Sequence, residues 1–236
     1  MKIKVVFFDA GETLLYRNPS LSTITYRFLK KNKINIMKEE IEKFISDSAN
    51  EMKKIVIKAK LSDSEKWDIF IRKFFKKIKV KDEIMIENVR KKLKNGTSFR
   101  PFKEVFKVFD FLKKSKIKTG IISNAPVELK NILKRTGILK KIDYLIISEE
   151  VGYEKPNKKI FEYALKKAKI KPGECIYVGD NYIADICGAK KTGIKPIWIL
   201  RNTKNAHFSY KTQKKDGNVI KIKNLEKIID FLAEIK

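Results

Sequence analysis

Asp9 closes the first apolar run of the chain, in Lys2-Ile3-Lys4-Val5-Val6-Phe7-Phe8-Asp9-Ala10-Gly11-Glu12-Thr13. Far downstream, an acidic pair stands in Val178-Gly179-Asp180-Asn181-Tyr182-Ile183-Ala184-Asp185. Between the two fall Ile121-Ile122-Ser123-Asn124 and Lys155-Pro156. A carboxylate, a hydroxyl, a lysine and an acidic pair, most of them leading from an apolar strand into a helix, suit a site for phosphate and magnesium. A carboxylate can attack phosphorus to give an aspartyl-phosphate, which splits one hard hydrolysis into two easier steps. Nucleophile and phosphate are both anionic, so a divalent cation must screen them. Magnesium takes oxygen ligands: one or two carboxylates, a carbonyl, waters and the phosphate itself.

On that chemistry Asp9 is the candidate nucleophile, and Asp9 and Asp180 are the candidate carboxylate ligands. The carbonyl of Gly11, two positions past the nucleophile, could complete the protein's share. Lys155 can neutralise the attacking carboxylate and the transferring oxygens. Ser123, Asn124 and the amides that open the following helix suit the non-bridging oxygens. Thr13 could bond the phosphate or brace the turn. Each residue alone also has a plainer reading. Aspartate at a strand end is often a cap or turn former, Ser123-Asn124 can be a cap, and Lys155 a loop lysine before a helix. The order and spacing of the whole set favour the site, and one helical turn brings Asp185 back toward Asp180.

The elements that must hold these residues can be read from the apolar pattern. Residues 3–8 form a short run expected of a parallel strand buried on both faces. From about Tyr16 to Arg100 the texture changes. Ile41, Phe44, Ile45, Met52, Ile55 and Val56 recur at helical spacing; so do Trp67, Phe70, Ile71, Phe74 and Ile78 after a Ser62 cap, then Ile84, Ile86, Val89 and Leu93. No strand is expected there, and the periodic residues should form the insertion's own core. Pro101 is expected at the first position of a helix carrying Val105, Val108, Phe109 and Leu112. Alternation then predicts strand 118–122, helix 126–136, strand 143–147, helix 157–169, strand 175–179, helix 182–192 and strand 196–200. A polar stretch, 201–218, precedes a short strand near Val219–Ile222 and a closing helix 224–235. This is an α/β chain with a Rossmann-like parallel sheet in three α/β/α layers and an inserted helical domain. The expected core is 1–15 with 99–236, and the insertion is 16–98. Ligands of such sheets sit beyond the carboxyl ends of the strands, where Asp9, Ser123 and Asp180 fall.

Composition narrows the partners. The 236 residues carry a net charge of +27, with 43% hydrophobic residues. The lysine pairs are spread over nearly every expected helix rather than gathered in a stripe with exposed aromatics. That pattern favours a genome-wide or thermophilic composition over nucleic-acid binding, although the field would draw anionic substrates inward. No run approaches the ~20 apolar residues of a membrane span, and a charge arrives too early for a secretory signal, so the cytoplasm is expected. Cys175, opening a strand, and Cys187, within a helix, read as packing residues rather than a disulfide or zinc site. His207, the sole histidine, lies in the polar stretch and reads as a surface residue.

The chain resembles the haloacid dehalogenase superfamily, mostly magnesium-dependent phosphatases, over nearly its whole length. Phe7-Phe8-Asp9-Ala10-Gly11-Glu12-Thr13-Leu14 looks like its first motif, Ile122-Ser123-Asn124 its second, Lys155-Pro156 its third, and Gly179-Asp180 with Asp185 its fourth. The resemblance implies a mobile cap in the helical insertion, an aspartyl intermediate at Asp9, and magnesium held by Asp9, the Gly11 carbonyl and Asp180. It also implies that Asp185 belongs to the metal site, orienting Lys155 or a metal-bound water. A cap of this kind would select a small phosphorylated substrate, and Tyr16, Arg17 and Asn18 could touch its leaving group or form a solvent-exposed hinge.

One position departs from the family. Its phosphatases usually carry a second aspartate two residues past the nucleophile, which protonates the leaving alcohol and then activates water. Here that position is Gly11, and Glu12 beside it is expected to face solvent or a helix. Three readings follow: a phosphatase using good leaving groups, Glu12 or water; a 2-haloacid dehalogenase-like hydrolase attacking carbon; or a catalytically weak relative that binds a partner. Gly179-Asp180 favours the metal-dependent phosphatase.

Overall fold

The computed structural model describes residues 2–56, 63–95, 98–201 and 219–234. Ser62 and the 202–218 segment with His207 lie outside the described residues, as do the side chains of Met52, Ile55, Val56 and Trp67. The chain divides into two compact units, Met1–Tyr16 with Phe99–Lys236, and Arg17–Ser98.

In the first unit β1 (Val5–Phe8) is buried at every residue. Its side chains alternate between two cores. Val6 and Phe8 join one face, Val5 and Phe7 the other, as the two-residue repeat of a strand requires. The chain then forms β2 (Leu15–Asn18) and, in the second unit, α1 (Leu21–Lys31), α2 (Lys38–Val56), α3 (Asp63–Lys77) and α4 (Glu83–Asn95). It returns through β3 (Ser98–Pro101), α5 (Val105–Lys114), β4 (Lys118–Ser123), α6 (Leu129–Arg135), β5 (Tyr144–Ile147), α7 (Ser148–Val151) and α8 (Lys158–Ala168). β6 (Cys175–Gly179), a π-helical turn at Tyr182–Cys187, α9 (Gly188–Lys190) and β7 (Lys195–Ile199) follow, then β8 (Ile220–Ile222) and α10 (Lys227–Glu234).

Six strands make one parallel sheet in the order β5-β4-β1-β6-β7-β8. One face packs on Val105, Val108, Phe109, Leu133, Ile228 and Leu232 of α5, α6 and α10. The other packs on Ile160, Phe161, Ala164 and Leu165 of α8. This is the three-layer Rossmann-like arrangement.

The second unit has its own core. Ile41, Ile45, Phe70, Ile71, Phe74, Ile78, Val89 and Leu93 are buried, and Ser20 caps α1 by accepting from the Thr23 amide. Ile84 departs from the expected stripe: it is 76% exposed in the first turn of α4.

Three expectations need correcting. Pro101 ends β3 and does not open a helix; α5 begins at Val105. The stretch 16–100 is not free of strands, because β2 and β3 pair at its two ends. Four residues each, carrying Arg and Asn or Ser and Arg, give too short an alternation to register as strands. Third, the helix expected over 182–192 is a π-helical turn followed by one short α-helical turn. Cys175 is buried in β6, Cys187 is half-buried, and both are free thiols. No helix among the described residues is long and apolar enough to cross a membrane.

Candidate active site

Parallel pairing sets the site. β1 lies between β4 and β6, with Phe8 beside Ile121 and Val178, so Asp9, Ser123 and Asp180 leave the same edge of the sheet. The Asp9 amide still donates to the Val178 carbonyl at 2.8 Å, which fixes the direction in which the chain departs. Lys155 arrives from the other side of β4. The Asn124 carboxamide receives it: Nδ2 donates to the Lys155 carbonyl at 2.8 Å, and Oδ1 accepts from the Lys155 amide at 2.7 Å. Asn124 therefore uses its side chain to seat Lys155. Ser148, at the start of α7, accepts from the Ala125 amide and steadies the same loop.

The Lys155 ammonium has three protons and three acceptors. It donates to Asp9 Oδ1 at 2.6 Å, Asp185 Oδ1 at 2.7 Å and the Tyr177 hydroxyl at 2.9 Å. Tyr177 in turn faces Asp185 Oδ1 at 2.9 Å and the Ile122 carbonyl at 3.2 Å, and its single proton serves those two. The other Asp185 oxygen accepts from the Asn181 amide. Asn181 also caps the π-helical turn through the Ile183 and Ala184 amides. Such turns recur at functional sites; here it brings Asp185 back under β6. Trp198 of β7 donates its indole N–H to the Asp180 carbonyl at 2.9 Å.

Burial sets the charges. It pushes the Asp9 carboxyl up to about 6, against the pull of Lys155. Burial, then repulsion from Asp9 and Asp185, drives the Asp180 carboxyl well above its ordinary range. Burial opposes the Lys155 charge, but Asp185 and Asp9 outweigh it and hold the ammonium more firmly than usual. One oxygen from each of Asp9, Asp180 and Asp185 lies within 4.8 Å of the others. No hydrogen-bond donor among the described residues reaches the Asp180 carboxylate. Three buried carboxylates thus share one lysine, a surplus of negative charge that fits a divalent cation.

The loop after Asp9 is held separately. The Ala10 carbonyl accepts from the Leu14 and Leu15 amides, and the Glu12 amide donates to the Leu15 carbonyl. Glu12 takes the left-handed backbone, φ 54°. Arg201, just past β7, forks onto the Thr13 carbonyl through Nε at 3.2 Å and Nη2 at 2.6 Å. It also pairs with Glu104 at 2.7 Å and lies 3.5 Å from the centre of the Phe102 ring. Thr13 is fully buried, and its hydroxyl has no partner among the described residues.

Asp9, Lys155, Asp180 and Asp185 thus converge, with Asn124 acting through Lys155. Ser123 is buried at the end of β4 and Thr13 in the adjoining loop. Asp185, expected among the metal ligands, has both oxygens occupied by Lys155, Tyr177 and Asn181. Tyr177, Trp198, Glu104 and Arg201 are absent from the sequence-based set. Tyr177 and Trp198 sit inside apolar strands and read as core; their lone polar atoms were the only signal.

The pattern of haloacid dehalogenase-like hydrolases matches residues 6–199. A glyceraldehyde 3-phosphate phosphatase of Methanothermobacter thermautotrophicus is 29% identical over 84% of this chain and 85% of its own. A phosphatase of this superfamily from Thermococcus onnurineus is 26% identical, with a TM-score of 0.61 over 98% of both chains. The hydrolase YfnB of Bacillus subtilis shares the fold at a TM-score of 0.76 and 16% identity, over 98% of this chain and 99% of its own.

Proposed function

Because this chain belongs to the haloacid dehalogenase-like hydrolase family, we propose that it is a magnesium-dependent phosphatase for a small phosphorylated metabolite, working through an aspartyl-phosphate on Asp9. The observation that carries the reading is the Lys155 ammonium held between Asp9 and Asp185 while Asp180, buried beside them, has no donor among the described residues. Asp9, Asp180 and the Gly11 carbonyl would hold the ion. When bound, magnesium would offset the charge of the carboxylates and of the phosphate.

The chain's own residues divide the remaining work. A carboxylate oxygen of Asp9 attacks phosphorus. Lys155 stays an ammonium throughout, partly neutralising Asp9 and facing the oxygens that gain charge. Asp185 and Tyr177 fix the direction of Lys155, and Asn124 fixes its backbone. Ser123, with the amides beyond it, and Thr13, whose buried hydroxyl lacks a partner among the described residues, suit the non-bridging oxygens. We read residues 17–98 as the family's cap, which would select the substrate. The phosphatase of Methanothermobacter named for a triose phosphate supports the small-metabolite class.

The test is phosphate release from p-nitrophenyl phosphate with magnesium, with chelator, and by Asp9→Asn. Release that needs both the ion and the Asp9 carboxylate supports the reading; release by Asp9→Asn at the rate of the parent protein removes it.

A further inference from the structure

Gly11 is not demanded by the backbone. A Cβ built there meets no atom within 4 Å, and the residue does not take the left-handed conformation. The left-handed turn falls on Glu12 instead. The loop owes its shape to the Ala10 carbonyl, the Glu12–Leu15 hydrogen bond and the Arg201 fork on Thr13. Neither crowding nor φ keeps a side chain out of position 11, the place where the resemblance leads one to expect an acid.

Lys155, Tyr177 and Asp185 are poor substitutes as proton donors, and Asp180 is committed to the ion in this reading. All three Lys155 protons are committed to Asp9, Asp185 and Tyr177. The Tyr177 proton is fully buried between Asp185 and Ile122. Both Asp185 oxygens accept hydrogen bonds.

Resting on the phosphatase reading, we propose that the substrate is an activated phosphate, an acyl or aryl phosphate rather than an alkyl ester, whose leaving group departs as a stable anion without being protonated. In the first step an Asp9 oxygen bonds to phosphorus. The bond from phosphorus to the leaving oxygen breaks, and its electron pair leaves on a carboxylate or phenolate anion. In the second step water attacks phosphorus, the bond to Asp9 breaks, and the electron pair returns to Asp9. The products are hydrogen phosphate and a proton released to solvent. With no base at position 11, the second step is the slower one, so phospho-Asp9 accumulates.

The experiment uses acetyl phosphate, p-nitrophenyl phosphate and glycerol phosphate with magnesium. Positioned acid–base help is typically worth about 10²–10⁴ in rate, and the wild-type rates for the first two should exceed the alkyl ester by that factor. p-Nitrophenol should appear in a burst stoichiometric with enzyme. Gly11→Asp should abolish the burst and narrow the gap between substrates. Comparable rates for alkyl and activated substrates, with phospho-Asp9 formed, would overturn this proposal and leave the phosphatase reading standing. So would a selective loss of alkyl hydrolysis in Glu12→Gln, which would make Glu12 the donor. No phospho-Asp9 from any of the three probes would overturn both.

Discussion

The carboxylate of Asp185 occupies the space that a side chain at Gly179 would need. A Cβ on Gly179 would lie 2.4 Å from the Asp185 carboxyl carbon. The last residue of β6 is therefore a glycine because the π-helical turn folds an acid back against the strand, and that acid steadies Lys155. Gly179→Ala should push Asp185 off Lys155. Overpacking of this kind costs about 1–3 kcal/mol, and turnover should fall at least about tenfold, one decade for each 1.4 kcal/mol of barrier. Urea denaturation and magnesium-dependent hydrolysis check the two halves separately.

Tyr177→Phe keeps the ring that stands edge-on to Phe161 at 5.2 Å and removes only the hydroxyl. Lys155 then has a buried proton without an acceptor, an omission worth about 1–3 kcal/mol. We expect kcat to fall with KM and magnesium affinity little changed. Both this role and a purely structural one lower the melting temperature, but a purely structural role for Tyr177 would leave kcat of the folded fraction intact.

Much of this arrangement is legible in the chain. Val5–Phe8 and Cys175–Gly179 are short, wholly apolar and followed by acids, which marks buried parallel strands ending at a site. Asp9 and Asp180 were recognisable because strand ends in such sheets share one edge, Lys155 because it precedes a helix, and Asp185 because one helical turn brings it back toward Asp180. The supporting residues were hidden for equally physical reasons. Tyr177 and Trp198 each have one polar atom on a large apolar body, so pattern alone assigns them to the core. Arg201 and Glu104 lie 97 residues apart, and no local rule links them. The strand pair Leu15–Asn18 and Ser98–Pro101 is stabilised by its pairing rather than by its own alternation. Pro101 was misread because a proline fits a strand end as well as a helix start.

The buried pair of Arg201 and Glu104 gives a further prediction. Arg201→Met strands the Glu104 carboxylate and releases the Thr13 carbonyl, and breaking a buried pair typically costs about 3–5 kcal/mol. Adding Glu104→Gln should recover part of the loss, since the stranded charge is gone. Chemical denaturation of the two variants measures both terms. Equal stability of single and double variants would contradict the pairing.

Magnesium and protons should compete at Asp9. Its carboxyl rises from an ordinary 3.8 to about 6 in the folded protein. Between those values the folded state keeps a proton that the unfolded chain has lost, so this group's share of stability declines as pH rises across the window. A cation needs the ionised form. The rise in melting temperature produced by magnesium should therefore shrink as pH falls through about 6. An undiminished rise near pH 5 would contradict the assignment of Asp9 as a ligand.

The most direct test of the account is acid-quenched mass spectrometry of the protein turning over acetyl phosphate with magnesium. We predict a phosphoryl adduct on Asp9 that hydroxylamine removes and that is missing from Asp9→Asn. Turnover without any adduct on Asp9, or an adduct on another residue that persists in Asp9→Asn, would contradict it.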